Sequence, residues 1–203
     1  MQKIYLVRHG QSEWNYQRKI QGQQDTLLTE EGKLQAKKLS YRLKSENIDA
    51  IYSSDLKRAY ETANIIGEEL NIDVTPMESF REIAFGHWEG IEIDKINSAN
   101  EKEHQTWLKE PHKFKMEGAE TLYEIQKRAM SGVSLVLNKN PGKNILIVSH
   151  GTTLKTIILG LLDMDLKYYN KLTLGNVSLT IIEFRDYNRV LKLLNDTCHL
   201  REE

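Results

Sequence analysis

Cysteine is nearly missing from this chain, with Cys198 the one thiol among 203 residues. No internal disulfide can form, and without a CxxC motif Cys198 reads as an ordinary small thiol, which fits a reducing compartment. Proline is almost as scarce, at three residues. No linker, repeat or low-complexity tract divides the chain, so residues 1–203 read as a single domain able to bury a sizeable core. An excess of one charge is also lacking. The formal net charge of -1 argues against a chain built to coat nucleic acid or an anionic membrane, while leaving room for a local cationic pocket. Long apolar runs are absent: MQKIYLVRHG is too short for a secretory h-region, and nothing approaches a membrane span. The expectation is a cytoplasmic protein with no nucleic-acid or membrane partner and an open oligomeric state.

What the chain does have is strand and helix patterns in alternation. Short apolar runs predict strands at Ile4–Val7, Ala50–Tyr52, near Val74, at Ile145–Val148, Ser178–Phe184 and Val190–Leu194. Leu56, Ala59, Ala63, Ile66 and Leu70 step by three and four, as do Leu122, Ile125, Ala129, Val133 and Val136, each marking one face of an amphipathic helix. A shorter stripe at Ala36, Leu39 and Leu43 follows Thr29 and Gly32, and another helix is expected from Gly151 to Leu162. This order predicts a three-layer α/β/α fold with a mostly parallel sheet and right-handed crossovers. Only DYNR separates the last two strands, which is too short for a crossover, so they should form an antiparallel hairpin at one edge. The polar, weakly periodic stretch 91–118 reads as an insertion over one end of the sheet.

Two strands end alike. In LVRHGQSEWN the apolar run breaks into Arg8, His9 and Gly10; in NILIVSHGTTLKT it breaks into Ser149, His150 and Gly151. Ligands of such sheets bind at the carboxyl ends of parallel strands, and the segment Ser53–Arg58 follows a third strand to the same edge. Within it, Ser54 or Asp55 can cap the next helix, putting Arg58 in a first turn whose dipole disfavours cations. An anion nearby would answer that, and an arginine facing solvent is the alternative. Arg8, after a buried strand, needs a carboxylate or phosphate partner. Two arginine forks flanking histidines make a cradle for a dianion. Zinc would need a third ligand and would be repelled by the arginines, and no HExxH or Cys/His cluster occurs; no metal or cofactor is expected. Gly10 and Gly151 can take positive φ and let backbone amides approach a ligand. A basic recognition helix for DNA is not in evidence, since these groups fall at strand ends.

Taken in order, RHG with SEWN, QGQQDTLLTEEGKLQA, SSDLKRAYETA, REIAFGHWEG and VSHG closely resemble the histidine phosphatase superfamily, also called phosphoglycerate-mutase-like. The resemblance runs from Ile4 to about Leu162. It implies metal-independent hydrolysis of a phosphomonoester through a phosphohistidine, with His9 as nucleophile and Glu82 as proton donor. Arg8, Arg58 and His150 would bind the phosphoryl group, helped by Asn15, Gln21, Gly22 and the amide of Gly151. FGHWEG is of the type found in the family's phosphatases, both broad-specificity ones and α-ribazole phosphatases. The implied substrate is a small phosphorylated metabolite, with α-ribazole 5'-phosphate one candidate. The competing readings are a bisphosphoglycerate-dependent phosphoglycerate mutase and a phosphate-binding module without turnover. Trp88, Trp107, His112, Phe114 and Glu117 are candidates either for the substrate pocket walls or for packing the insertion onto the core.

Overall fold

The computed structural model describes residues 1–99 and 101–201; residue 100, inside the expected insertion, and residues 202–203 lie outside it. Six strands form one sheet: β1 Gln2–Arg8, β2 Ala50–Ser53, β3 Val74–Pro76, β4 Ile145–Ser149, β5 Leu179–Phe184 and β6 Arg189–Asp196. Their order is β3-β2-β4-β1-β5-β6. The first four are mutually parallel, while β5 runs antiparallel to β1 and β6 to β5. The terminal hairpin thus occupies one edge, as its short connection requires.

The helices are α1 Glu13–Tyr16, α2 Glu30–Leu43, α3 Lys57–Leu70, α4 Ile93–Ala99, α5 Glu101–Lys109, α6 Leu122–Lys139 and α7 Gly151–Leu161. Alternation along β1 and β4 sends side chains to opposite faces. Ile4, Leu6, Ile145 and Ile147 pack with Ala129, Val133 and Val136 of α6 and Leu154, Ile157 and Ile158 of α7. Tyr5, Val7, Leu146 and Val148 meet Leu39 and Leu43 of α2 and Ala59, Ala63 and Ile66 of α3 on the other side. Both faces of the sheet are covered, which gives three layers.

Two long helices begin at side-chain caps. Thr29 accepts from the Gly32 amide at the head of α2, and Thr121 with Glu124 forms a reciprocal capping box on α6. A third apolar cluster lies apart from the two sheet faces. Phe85, Trp88, Ile96, Phe114, Leu122, Leu159 and Tyr169 belong to it, so it ties the stretch after residue 85 to α6 and α7. Among the described residues no helix is long and apolar enough to cross a membrane.

Candidate active site

Strand register builds the site. Arg8 of β1 lies opposite Ser149 of β4, and the His9 amide continues the ladder to the Ser149 carbonyl at 2.9 Å. The next residues, His9 and His150, therefore leave adjacent parallel strands side by side, with ring centroids 5.2 Å apart. On the other flank of β4, Ser53 pairs with Val148. Ser54 follows, and its hydroxyl stands 2.8 Å from His150 Nε2. One turn later Arg58 enters beneath from α3.

His9 is buried, and its Nδ1 lies 2.7 Å from the Gly10 carbonyl oxygen. A carbonyl only accepts, so Nδ1 carries the hydrogen and Nε2 of the neutral ring keeps its lone pair. Burial holds the imidazole well below the usual histidine range, with Arg58 and then Arg8 pushing the same way and the Gly10 carbonyl opposing. His150 is held low as well, by burial and then by Arg58, His9 and Arg8. Arg58 is fully buried, which excludes the solvent-facing alternative. It donates to the carbonyls of Gln24 at 2.7 Å and Gly22 at 2.8 Å. Burial draws it down to about 10, with Glu82 and Asp25 pulling upward. Arg8 donates to the Leu174 carbonyl at 2.7 Å. Among the described residues, the buried atoms Arg8 Nε, Arg58 Nε and His150 Nδ1 have no hydrogen-bond partner. Unpaired buried polar atoms of this kind are costly, and those of two guanidinium groups and an imidazole suit an oxyanion.

The loop after α1 forms the second wall. Gly22 has φ +52, and a methyl group there would fall 1.9 Å from Glu89 Oε1; only glycine admits that approach. Glu89 in turn accepts from the amides of Gln23 at 3.1 Å and Phe85 at 3.0 Å, clamping the loop to the REIAFGHWEG turn. Gln21 Oε1 accepts from Ser12 and Thr26. Asn15 Oδ1 accepts from the Ser12 amide and from Asn176. Asn176 also donates to the His9 carbonyl at 2.9 Å, so it links His9 to Asn15. Its neighbour Val177 holds φ at 46°, a strained geometry for a β-branched residue, and bonds the Arg8 carbonyl at 3.0 Å.

Glu82 reaches the same cleft from the segment after β3. Its carboxylate accepts from the amides of Thr152 and Thr153, each at 3.2 Å, in the first turn of α7, where the helix dipole favours an anion. The Glu82 backbone is held from behind. Arg128 of α6 donates to the carbonyls of Ser79, Arg81 and Glu82 at 3.0, 2.8 and 2.8 Å and pairs with Glu120. Glu120 also accepts from the Ala84 amide at 2.9 Å.

Two expectations need correction. Neither Ser54 nor Asp55 caps α3: Leu56 sits at the cap without a side-chain bond. Ser54 bonds His150 and the Leu56 amide, and Asp55 is held by Arg81. Asp25 takes over from the opposite loop, accepting from the Lys57 amide at 2.7 Å. Gly10 and Gly151 do not adopt positive φ either. Gly10 is needed because an added Cβ would lie 2.5 Å from the Gly32 carbonyl oxygen, where strand end and α2 meet. At Gly151 a Cβ would make only ordinary contacts, 3.7 Å from Arg8 Nε and 3.9 Å from Glu82 Oε2. The residues expected to wall the pocket divide as well. Trp88 and Phe114 are buried in the third cluster with Trp107 packed against them, whereas Glu117 is exposed and His112 half-buried.

With this geometry in hand, comparison with known proteins is informative. The sequence pattern of the histidine phosphatase superfamily (branch 1) matches residues 4–197. Phosphoserine phosphatase 1 of Hydrogenobacter thermophilus is 35% identical over 202 residues, covering 100% of this chain and 96% of its own. A probable phosphoglycerate mutase, GpmB of Salmonella choleraesuis, is 32% identical over 92% of this chain and 86% of its own. Among solved structures, a mutant phosphoserine phosphatase of Entamoeba histolytica in complex with phosphoserine aligns with a TM-score of 0.88 at 36% identity, covering 99% of this chain and 100% of that one. The same enzyme is also known in complex with 3-phosphoglyceric acid.

Proposed function

The chain belongs to the histidine phosphatase superfamily and is a phosphatase; from that premise we propose that it hydrolyses small phosphomonoesters through a phosphohistidine at His9 Nε2. One observation carries the reading. The bond from Nδ1 to the Gly10 carbonyl assigns the ring hydrogen and leaves the lone pair of Nε2 free to attack, and the depressed basicity of His9 keeps it unprotonated at neutral pH.

In the first step Nε2 bonds to phosphorus, the ester P–O bond breaks, and Glu82 delivers its proton to the departing alkoxide. In the second, Glu82 takes a proton from water, the hydroxide bonds to phosphorus, and the N–P bond breaks to return neutral His9 and inorganic phosphate. Arg8 and Arg58 through Nε, and His150 through Nδ1, hold the equatorial oxygens as charge redistributes. Ser54 Oγ accepts from the Leu56 amide, and with its hydroxyl donating a hydrogen bond to His150 Nε2 the Nδ1–H is left to face the oxyanion. Asn15, Gln21 and the Gly151 amide complete the cradle, Gly22 shapes the loop that anchors Arg58, and the 91–118 segment covers the substrate. No metal or cofactor takes part in these steps.

The substrate reading is a small phosphorylated carboxylic acid of the phosphoserine kind, supported by relatives at 35% and 36% identity over nearly the whole chain. α-Ribazole 5'-phosphate gains less support, because Trp88 and Phe114, candidates to stack on its base, are 0% and 1% exposed. The mutase reading draws on the Salmonella relative, but the stretch after Glu82 lacks the longer tyrosine-containing form of the family's mutases. The test is rapid quench with 32P-labelled phosphoserine and a chelator present. The expected result is an acid-labile phosphoryl group on the wild type, and none with His9→Ala, whose turnover vanishes. Near-normal turnover by His9→Ala would overturn the mechanism, and phosphoryl transfer to phosphoglycerate outpacing hydrolysis would favour the mutase.

A further inference from the structure

Lys155 lies on α7 one turn beyond Gly151, so the two share a face of the helix. That face opens on the catalytic groups, since the Gly151 position is within 3.9 Å of both the Arg8 guanidinium and Glu82 Oε2. Beneath the lysine is Tyr169, whose ring centroid lies 4.5 Å from Nζ. The tyrosine hydroxyl bonds to Thr152 Oγ1 at 3.0 Å, and its ring packs on Trp107 at 5.5 Å. The ammonium is therefore seated on a fixed aromatic platform beside the cradle.

A half-buried cation ordinarily has a carboxylate partner. None of the ion pairs among the described residues includes Lys155. Burial, with Arg8, holds its ammonium below the usual lysine range, and Glu82 opposes. The segment expected to supply specificity has no comparable group: Lys95 and Lys113 pair with Glu92 and Glu110, and Lys102, Lys109 and Lys115 are exposed.

We propose that Lys155, seated on Tyr169, is the second anion-binding point of the site and takes the carboxylate of a phosphorylated acid whose phosphoryl group lies on the His9 cradle. The proposal rests on the phosphatase reading above and adds the residue that selects the substrate. An ammonium–carboxylate bond formed equally in ground and transition states lowers KM and leaves kcat largely alone.

The experiment compares phosphoserine with phosphoethanolamine, which is the same ester without the carboxylate. In the wild type, kcat/KM should favour phosphoserine about 10- to 100-fold, the range of one charge-assisted hydrogen bond. Lys155→Met, which keeps the stem and removes the charge, should collapse that ratio toward one, chiefly by raising KM for phosphoserine, and Lys155→Arg should restore part of it. Equal losses on both esters, or a retained preference, would overturn the assignment. A wild-type ratio near one would do so with no variant needed. Absence of any phosphohistidine with either ester would instead overturn the phosphatase reading, so the two failures are distinguishable.

Discussion

The strand-end cradle and the segment we propose to cover it, the floor and the roof of the cleft, are built by different physics. On the floor, Arg58, His9 and His150 are at most 2% exposed, fixed by strand register and by bonds to backbone carbonyls. The roof, from Phe85 to Phe114, is held by ring contacts: Trp88 lies 5.1 Å from Phe114, and Trp107 lies 5.2 Å from Phe114 and 5.0 Å from Phe85. Its surface carries local ion pairs such as Lys95 with Glu92, which contribute little to stability. A directional, buried floor suits chemistry that must meet one geometry, the phosphoryl group. Apolar packing tolerates changes of shape, so the roof can vary without disturbing the atoms below. Variants of the floor should then damage all substrates alike, and groups at the boundary should discriminate among them.

The sharpest way to break this contrast is at Arg58. Arg58→Ala removes a cradle donor and leaves the Gly22 and Gln24 carbonyls without their partner. We expect kcat/KM to fall by about 10³- to 10⁵-fold, the range for an arginine that stabilises phosphoryl transfer. Steady-state kinetics should show the same loss on aryl and alkyl esters. Arg58→Lys should recover little, because a single ammonium cannot span two carbonyls and an oxyanion. A loss under tenfold would mean that the floor does not hold the phosphoryl group.

Glu82 stands at the boundary and should behave differently. Glu82→Gln keeps the shape and removes the proton, so turnover of an alkyl phosphate should drop about 10²- to 10⁴-fold, as for loss of a general acid. p-Nitrophenyl phosphate, whose leaving group needs no proton, should lose far less. A plot of rate against leaving-group pKa for wild type and variant checks this, and parallel lines would remove Glu82 from the acid role.

Much of the floor could be read from the chain because its residues follow apolar runs. Ile4–Val7 and Ile145–Val148 announce buried strands, and whatever comes next must lie at their carboxyl ends. Arg8, His9 and His150 were legible in that way, and Arg58 through its odd place at a helix start. Glu82, Asn15, Gln21 and Gly22 had no such signal and entered only through resemblance to a family. The supporting groups had none at all. Ser54 meets His150 across 96 positions, Gln23 meets Glu89 across 66, and Arg128 reaches Ser79 across 49. Polar contacts between distant segments leave no periodic trace. The capping of α3 by Asp25 was misassigned for the same reason, since local spacing offered only Ser54 and Asp55.

Arg128 provides the finest test, because it touches neither phosphate nor leaving group. It lies in α6, behind the segment that carries Glu82, and its planar fork joins the carbonyls of Ser79, Arg81 and Glu82 to the Glu120 carboxylate. Arg128→Lys keeps the charge but cannot span those acceptors, so the Glu82 backbone should shift while the strand-end groups stay in place. Small misplacements of a catalytic group cost rate steeply, and we expect about a tenfold loss on alkyl phosphates with a smaller one on p-nitrophenyl phosphate. The direction matches Glu82→Gln, and the size is less because the carboxyl group is still present. A residue needed only for folding would lower the melting temperature and leave the ratio between ester classes unchanged. Glu120→Gln, which loosens the same clamp from its other end, should move that ratio the same way. If both variants reduce the two ester classes equally, Arg128 belongs to the scaffold and the boundary between floor and roof lies at Glu82 itself.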